Sequence, residues 1–120
     1  MNSNGKILIS PDVIKRIIVQ TLEDIDGVLG IAKQNKGNFF KKNLQNSLEV
    51  EMTNSECVID MQISIVYGKN IVNISSQIQE KVKENIEKLT EITVKEINII
   101  VVSYEKIEVE TTKTGDEENV

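Results

Sequence analysis

The chain has 120 residues and a mass of 13.5 kDa, room for one domain with a real core and no need of a disulfide or metal staple. With 39% hydrophobic and 28% charged residues, it has the balance of a globular protein rather than a disordered one. Histidine is absent, which excludes Ser–His and Cys–His catalysis, histidine-ligated metals and imidazole pH switches. The formal net charge of −5 is mostly local: from 105 onward, six acids (Glu105, Glu108, Glu110, Asp116, Glu117, Glu118) oppose Lys106 and Lys113, leaving the body near −1. A nearly neutral body argues against a nucleic-acid binder, which displays a basic excess. The stretch MNSNGK lacks the apolar run of a signal peptide and no segment is long and apolar enough to span a membrane. The single Cys57 has no internal partner, so a reducing cytoplasm is the expected location.

In chain order, Ile7-Leu8-Ile9 predicts a short opening strand. Ser10-Pro11-Asp12 is a helix start, with a side-chain acceptor, a residue lacking N–H and an acid at the positive helix end. Val13, Ile14, Ile17, Ile18, Leu22 and Ile25 form one helical stripe that should end at Gly27. Val28–Ala32 is a short strand containing Gly30. Residues 34–46 have no periodicity and read as an exposed loop. Leu48, Val50 and Met52 then alternate with Glu49 and Glu51. After the turn Thr53–Glu56, the residues Cys57, Ile59, Met61, Ile63, Ile65 and Tyr67 alternate with Asp60, Gln62 and Ser64. These two runs predict an antiparallel hairpin with one buried and one wet face.

A second amphipathic helix is expected over about residues 72–89, with Ile74, Ile78, Val82, Ile86 and Leu89 as its stripe and Glu80–Lys83 and Glu84–Lys88 as surface pairs. The last strand runs from about 92 to 104. Its centre, Ile99–Val102, is apolar on both sides, as in a strand flanked within the sheet or covered on both faces. The predicted fold class is α+β: a small mixed or antiparallel sheet with two amphipathic helices on one face, in the order β-α-β-β-β-α-β. Residues 1–104 form the single domain, and 105–120 an acidic tail expected to be mobile.

With the elements placed, the chain resembles the alkaline shock proteins of Gram-positive bacteria. The resemblance rests on Gly5-Lys6-Ile7 through Ser10, then Ile25-Asp26-Gly27-Val28 with Gly30. It continues in Val58–Ile63, Tyr67-Gly68 with Asn70-Ile71, Ile78-Gln79 with Val82, and Thr90 followed by Val94–Val102. Gly27, Gly30, Tyr67, Gly68, Asn70 and Gln79 are its motif residues, expected to serve structure. The family often has proline where this chain has Val72, and glycine where it has Glu91. The resemblance implies a cytoplasmic, non-enzymatic protein of envelope homeostasis and stress, which self-associates and is held near the membrane by a membrane-anchored partner.

The residues themselves present no catalytic constellation, no cofactor motif and no metal-ligand spacing. Cys57, in an apolar register, is expected buried and inert. Glu23, Asp24 and Asp26 lack the alternation of a calcium loop and read as a solvated helix end. Asp60 has no second acid at a definable distance. Gly27–Gly30 lacks the lysine of a phosphate loop.

The candidate contact is Phe39-Phe40-Lys41-Lys42: both phenylalanines of the chain lie here among Lys33, Lys36, Lys41 and Lys42, with no acid from 27 to 48. Two readings stand: a patch for an anionic lipid surface, an acidic partner or a single strand of nucleic acid, or a loop whose Phe closes over the core while its lysines aid solubility. For the whole chain, the favoured reading is an interaction scaffold. A small nucleic-acid-binding module is the alternative, disfavoured by the neutral body and the scarcity of strand aromatics.

Overall fold

The structure is a computed structural model that describes residues 4–31 and 47–106. Helix α1 (Pro11–Glu23) is followed by strands β1 (Val28–Ile31), β2 (Leu48–Met52) and β3 (Glu56–Val66), helix α2 (Ile71–Thr90) and strand β4 (Thr93–Glu105). The fold class agrees with the sequence: α+β, one mixed sheet, two helices on one face. The opening strand differs, because residues 7–9 form no strand. Ile7 and Leu8 are instead largely exposed.

The hub of the sheet is β3. β4 runs parallel to β3 along its full length, from Glu56↔Thr93 to Val66↔Glu105. β1 and β2 both pair antiparallel with β3, β1 opposite Ile63–Ile65 and β2 opposite Cys57–Met61. Since a strand has two edges and β4 takes one, β1 and β2 lie end to end on the other. The backbone of Gln62 donates to Ser47 at 2.8 Å and that of Val66 to Gly27 at 2.9 Å, bridging and extending the two pieces. The described residues on either side, Ile31 and Ser47, thus both belong to this row. Leu48↔Met61 through Met52↔Cys57 is the expected antiparallel pair.

The alternation read in the sequence sorts β3 cleanly. Cys57, Ile59, Met61, Ile63 and Ile65 are buried against Ile14, Ile18, Leu22, Ile74, Ile78, Val82 and Ile86 of the helices. Deleting one such side chain typically costs about 2–5 kcal/mol. The helices are also joined by a polar link inside this apolar layer: Asn85 donates to Thr21 Oγ1 at 2.9 Å, and Thr21 Oγ1 donates to the Ile17 carbonyl at 2.7 Å.

The helix ends depart from expectation in instructive ways. α1 stops at Glu23 with Asp24 as its cap, and a turn carries the chain to Gly27. Ser10 caps through its backbone carbonyl, which accepts from Val13 N–H at 3.0 Å, and not through its side chain. α2 begins one residue before the expected start because Asn70 Oδ1 accepts from Asn73 N–H at 2.8 Å, a side-chain cap. Its ion pair among the described residues is Lys83–Glu87, at 2.8 Å, rather than Glu80–Lys83 or Glu84–Lys88. Glu87 is held in place because it also accepts from Val94 N–H at 2.9 Å.

β4 is the main correction. Its apolar centre is not enclosed: β4 is an edge strand, and Ile100 and Val102 are 58% and 46% exposed. One side of Ile97, Ile99 and Val101 packs on the core, which accounts for half of the apolar signal. The other half faces away from the helices.

Candidate interaction surfaces

With both helices on one side, the register fixes what the other side displays. Glu49 lies opposite Asp60, which lies opposite Asn98; Glu51 lies opposite Val58, which lies opposite Glu96; Gln62 pairs with Ile100. Glu49, Glu51, Asp60 and Glu96 are all exposed. Asn98 Nδ2 donates to Asp60 at 3.0 Å and to Glu96 at 3.3 Å, so one amide serves two carboxylates. Among the described residues none of the four acids has an ion-pair partner. No lysine or arginine occupies a paired register position on this face; Lys95 is the extra residue of the bulge between Cys57/Val94 and Val58/Glu96. Next to the acids lie Ile100 and Val102, the latter at a second bulge. No helix or strand among the described residues covers this face.

The free edge of β4 is partly covered from α2. Gln79 Nε2 donates to the Ile97 carbonyl at 3.0 Å, Lys83 Nζ to the Val94 carbonyl at 3.4 Å, and Glu87 accepts from Val94 N–H. Residues 79, 83 and 87 share one helix face at four-residue spacing, so their polar ends line up along the strand edge and satisfy backbone groups that would otherwise invite another strand. Backbone groups alternate in direction along a strand, so those of Ile99 and Val101 share the outward direction of the Ile97 carbonyl, beyond the reach of this cover. In the sequence Gln79 stood out as a motif residue and Lys83 only as the expected partner of Glu80; Glu87 went unread, and their four-residue spacing was the available signal.

The other motif residues meet at the two chain reversals. Gly27 has φ +97°, and a Cβ there would lie 2.5 Å from Ile74 Cδ1, so glycine lets α2 approach. Gly30 (φ +126°) sits beside the β1 bulge, with open space around it. After β3, Gly68 (φ +101°) turns the chain, its N–H donating to Tyr104 Oη at 3.1 Å while Tyr104 donates to the Lys69 carbonyl at 3.0 Å. The rings of Tyr67 and Tyr104 stand 4.9 Å apart, and Lys69 pairs with Asp26 at 3.0 Å. Tyr104, which the sequence reading passed over, therefore ties the end of β4 to the β3–α2 turn.

Cys57 is 1% exposed, and burial, with Glu87 nearby, pushes its thiol up from the ordinary value. Glu87 moves the other way, held below the usual carboxylate range by the Lys83 hydrogen bond and the Val94 N–H. Glu23, Asp24 and Asp26 do not converge: among the described residues no group of three such side chains could hold a metal ion. Phe39, Phe40, Lys41 and Lys42 lie outside the described residues, as does the tail from Ile107. No helix is long and apolar enough to cross a membrane among the described residues. At the far end of the sheet a groove of about 800 Å³ runs between the N-terminal arm and the end of α2, lined in part by Leu8, Met52, Leu89 and Ile92.

Comparison with known proteins adds the family. A model for the alkaline shock protein 23 family, described as having a cell envelope-related function, matches residues 1–105. The chain belongs to that family. A stress response regulator Gls24 homolog of Streptococcus pyogenes serotype M3 is 27% identical over 124 residues, covering 93% of this chain and 67% of the relative. YqhY of Bacillus subtilis (strain 168) is 26% identical over 109 residues, covering 84% of this chain and 78% of the relative. A protein of S. pyogenes serotype M6 is 32% identical over 104 residues, covering 82% and 86%. Among solved structures, the MamM CTD is similar with a TM-score of 0.47 and 16% identity, over 77% of this chain and 96% of that one. The alkaline shock family is thus represented in Gram-positive bacteria, with stress-response regulators among its named members.

Proposed function

We propose that this alkaline shock family member is a non-enzymatic scaffold of the cytoplasm, serving envelope homeostasis under stress by associating with copies of itself and docking to a membrane-anchored partner. The observation that supports it is the one-sided layering. A four-stranded sheet keeps helices on one face and leaves the other, with Ile100 and Val102 among four carboxylates, open to contact. Exposed apolar side chains rimmed by polar groups are the usual mark of a surface that meets another protein. The unpaired stretch of β4 adds backbone groups to that offer. Phe39, Phe40, Lys41 and Lys42 are the proposed contact segment, and the partner supplies the membrane anchor.

An RNA-binding sheet would carry aromatic and basic side chains on its open face; Glu49, Glu51, Asp60 and Glu96 stand there instead, which weighs against the nucleic-acid alternative. The test is fractionation of stressed cells after mild crosslinking. The chain should be recovered with the membrane fraction through a crosslinked integral membrane protein, and be released when that protein is deleted. Recovery wholly in the soluble fraction, with no such crosslink, contradicts partner docking.

A further inference from the structure

The open sheet face and the lysine-rich segment answer each other. Glu49 and Asp60 are direct cross-strand neighbours, an arrangement that destabilises a sheet unless a cation joins it. Glu51 and Glu96 flank them in the next row on either side of Val58. Ile100 sits one row along from Asn98 and Asp60 on the same face, about 7 Å away. Such a face calls for an occupant that is cationic and also brings apolar bulk. The same sequence contains one: residues 33–42 carry Lys33, Lys36, Lys41 and Lys42 with Phe39 and Phe40, and no acid falls anywhere between 27 and 48. Four positive charges meet four negative ones.

We propose that the helix-free face of the sheet, at Glu49, Glu51, Asp60, Glu96 and Ile100, receives the Lys33–Lys42 segment of a second copy of the chain. This rests on the scaffold reading and names the contact by which copies associate. The segment lies in sequence between Ile31 and Ser47, both on the β1–β2 row, so each copy carries donor and acceptor as two different stretches. A contact between unlike patches is head-to-tail, and it propagates into a chain of subunits unless it closes into a ring. An anionic bilayer is a poorer match for the whole arrangement, since the acidic face would be repelled by it. Being carried by charge, the contact should weaken as salt is raised.

Complementation of charge reversals decides the matter. One variant, Glu49→Lys with Asp60→Lys, spoils the face and keeps the segment. The other, Lys41→Glu with Lys42→Glu, spoils the segment and keeps the face. Thermal unfolding checks that each folds, and Glu49→Gln with Asp60→Asn serves as a gentler face variant. Sedimentation velocity should show self-association weakened at least ~10-fold in each variant alone, the order expected when close interfacial charge pairs are removed. An equimolar mixture should regain assembly, because each variant's face then meets a segment of opposite charge on the other. Either variant assembling like the parent overturns the proposal while leaving the scaffold reading intact. So does a mixture that stays monomeric, as when the segment lies on its own sheet, or a segment variant that loses only its binding to phosphatidylglycerol vesicles. A parent chain that is itself monomeric removes self-association as well.

Discussion

Glu91 carries a left-handed backbone, φ 64°, at the end of α2, at the position where the family tends to have glycine. A side chain in that conformation costs about 1–2 kcal/mol relative to glycine. Glu91→Gly should therefore stabilise the fold by about 1 kcal/mol, read as a higher urea midpoint at constant slope; a lower midpoint would show that the Glu91 side chain makes a compensating contact. Cys57 gives the pH counterpart. Its thiol holds its proton more tightly folded than unfolded. The resulting stabilisation is complete below the unfolded thiol value, near 9.0, and is lost as pH rises past it. Urea unfolding at pH 8 and 10 should show the parent losing more stability over that interval than Cys57→Ala. Equal losses would mean the thiol is not coupled to folding.

At the scale of elements, what the sequence made legible was whatever depends on neighbours along the chain. The strict alternation from Cys57 to Ile65 is set by which face of β3 is buried, and it could be read directly. The stripes of both helices were legible for the same reason. Edges were not. Ile99–Val102 is apolar on both sides, and such a run looks the same in an enclosed strand and in an edge strand with a second face to offer. Ile7–Ile9 has the composition of a strand, yet it forms none, and Ile7 and Leu8 end up 79% and 87% exposed, because composition alone does not say whether a segment finds a partner in the sheet. The collinear β1 and β2 escaped for the same reason: their common partner is β3, not each other.

The α2 cover on β4 carries a prediction of its own. Glu87→Ala removes the acceptor for Val94 N–H and the partner of Lys83, so the urea midpoint should fall and the exposed start of β4 should make the variant more prone to aggregate. Because the Glu87 carboxyl titrates below its ordinary value when folded, its stabilisation is present above the unfolded carboxyl pKa and disappears as pH drops through the folded one. The parent and Glu87→Ala should therefore converge in stability at acid pH. A gap that persists there would locate the effect in packing instead.

For the whole molecule, the basic, aromatic segment stood out in the sequence because charge and aromatic content are local properties, but it lies outside the described residues. The acidic sheet face was not legible, since Glu49, Asp60 and Glu96 become neighbours only when three strands align. What the fold assembles is one well-packed layer of helices on a sheet, with the second sheet face covered by no helix or strand among the described residues.

The most direct measurement is sedimentation velocity of the 120-residue chain over a wide concentration range, at low and at high salt. A molecule built for head-to-tail contact should give assemblies that grow with concentration at low salt and fall back toward the 13.5 kDa chain as salt is raised. A single 13.5 kDa species at every concentration, or assemblies indifferent to salt, would contradict it.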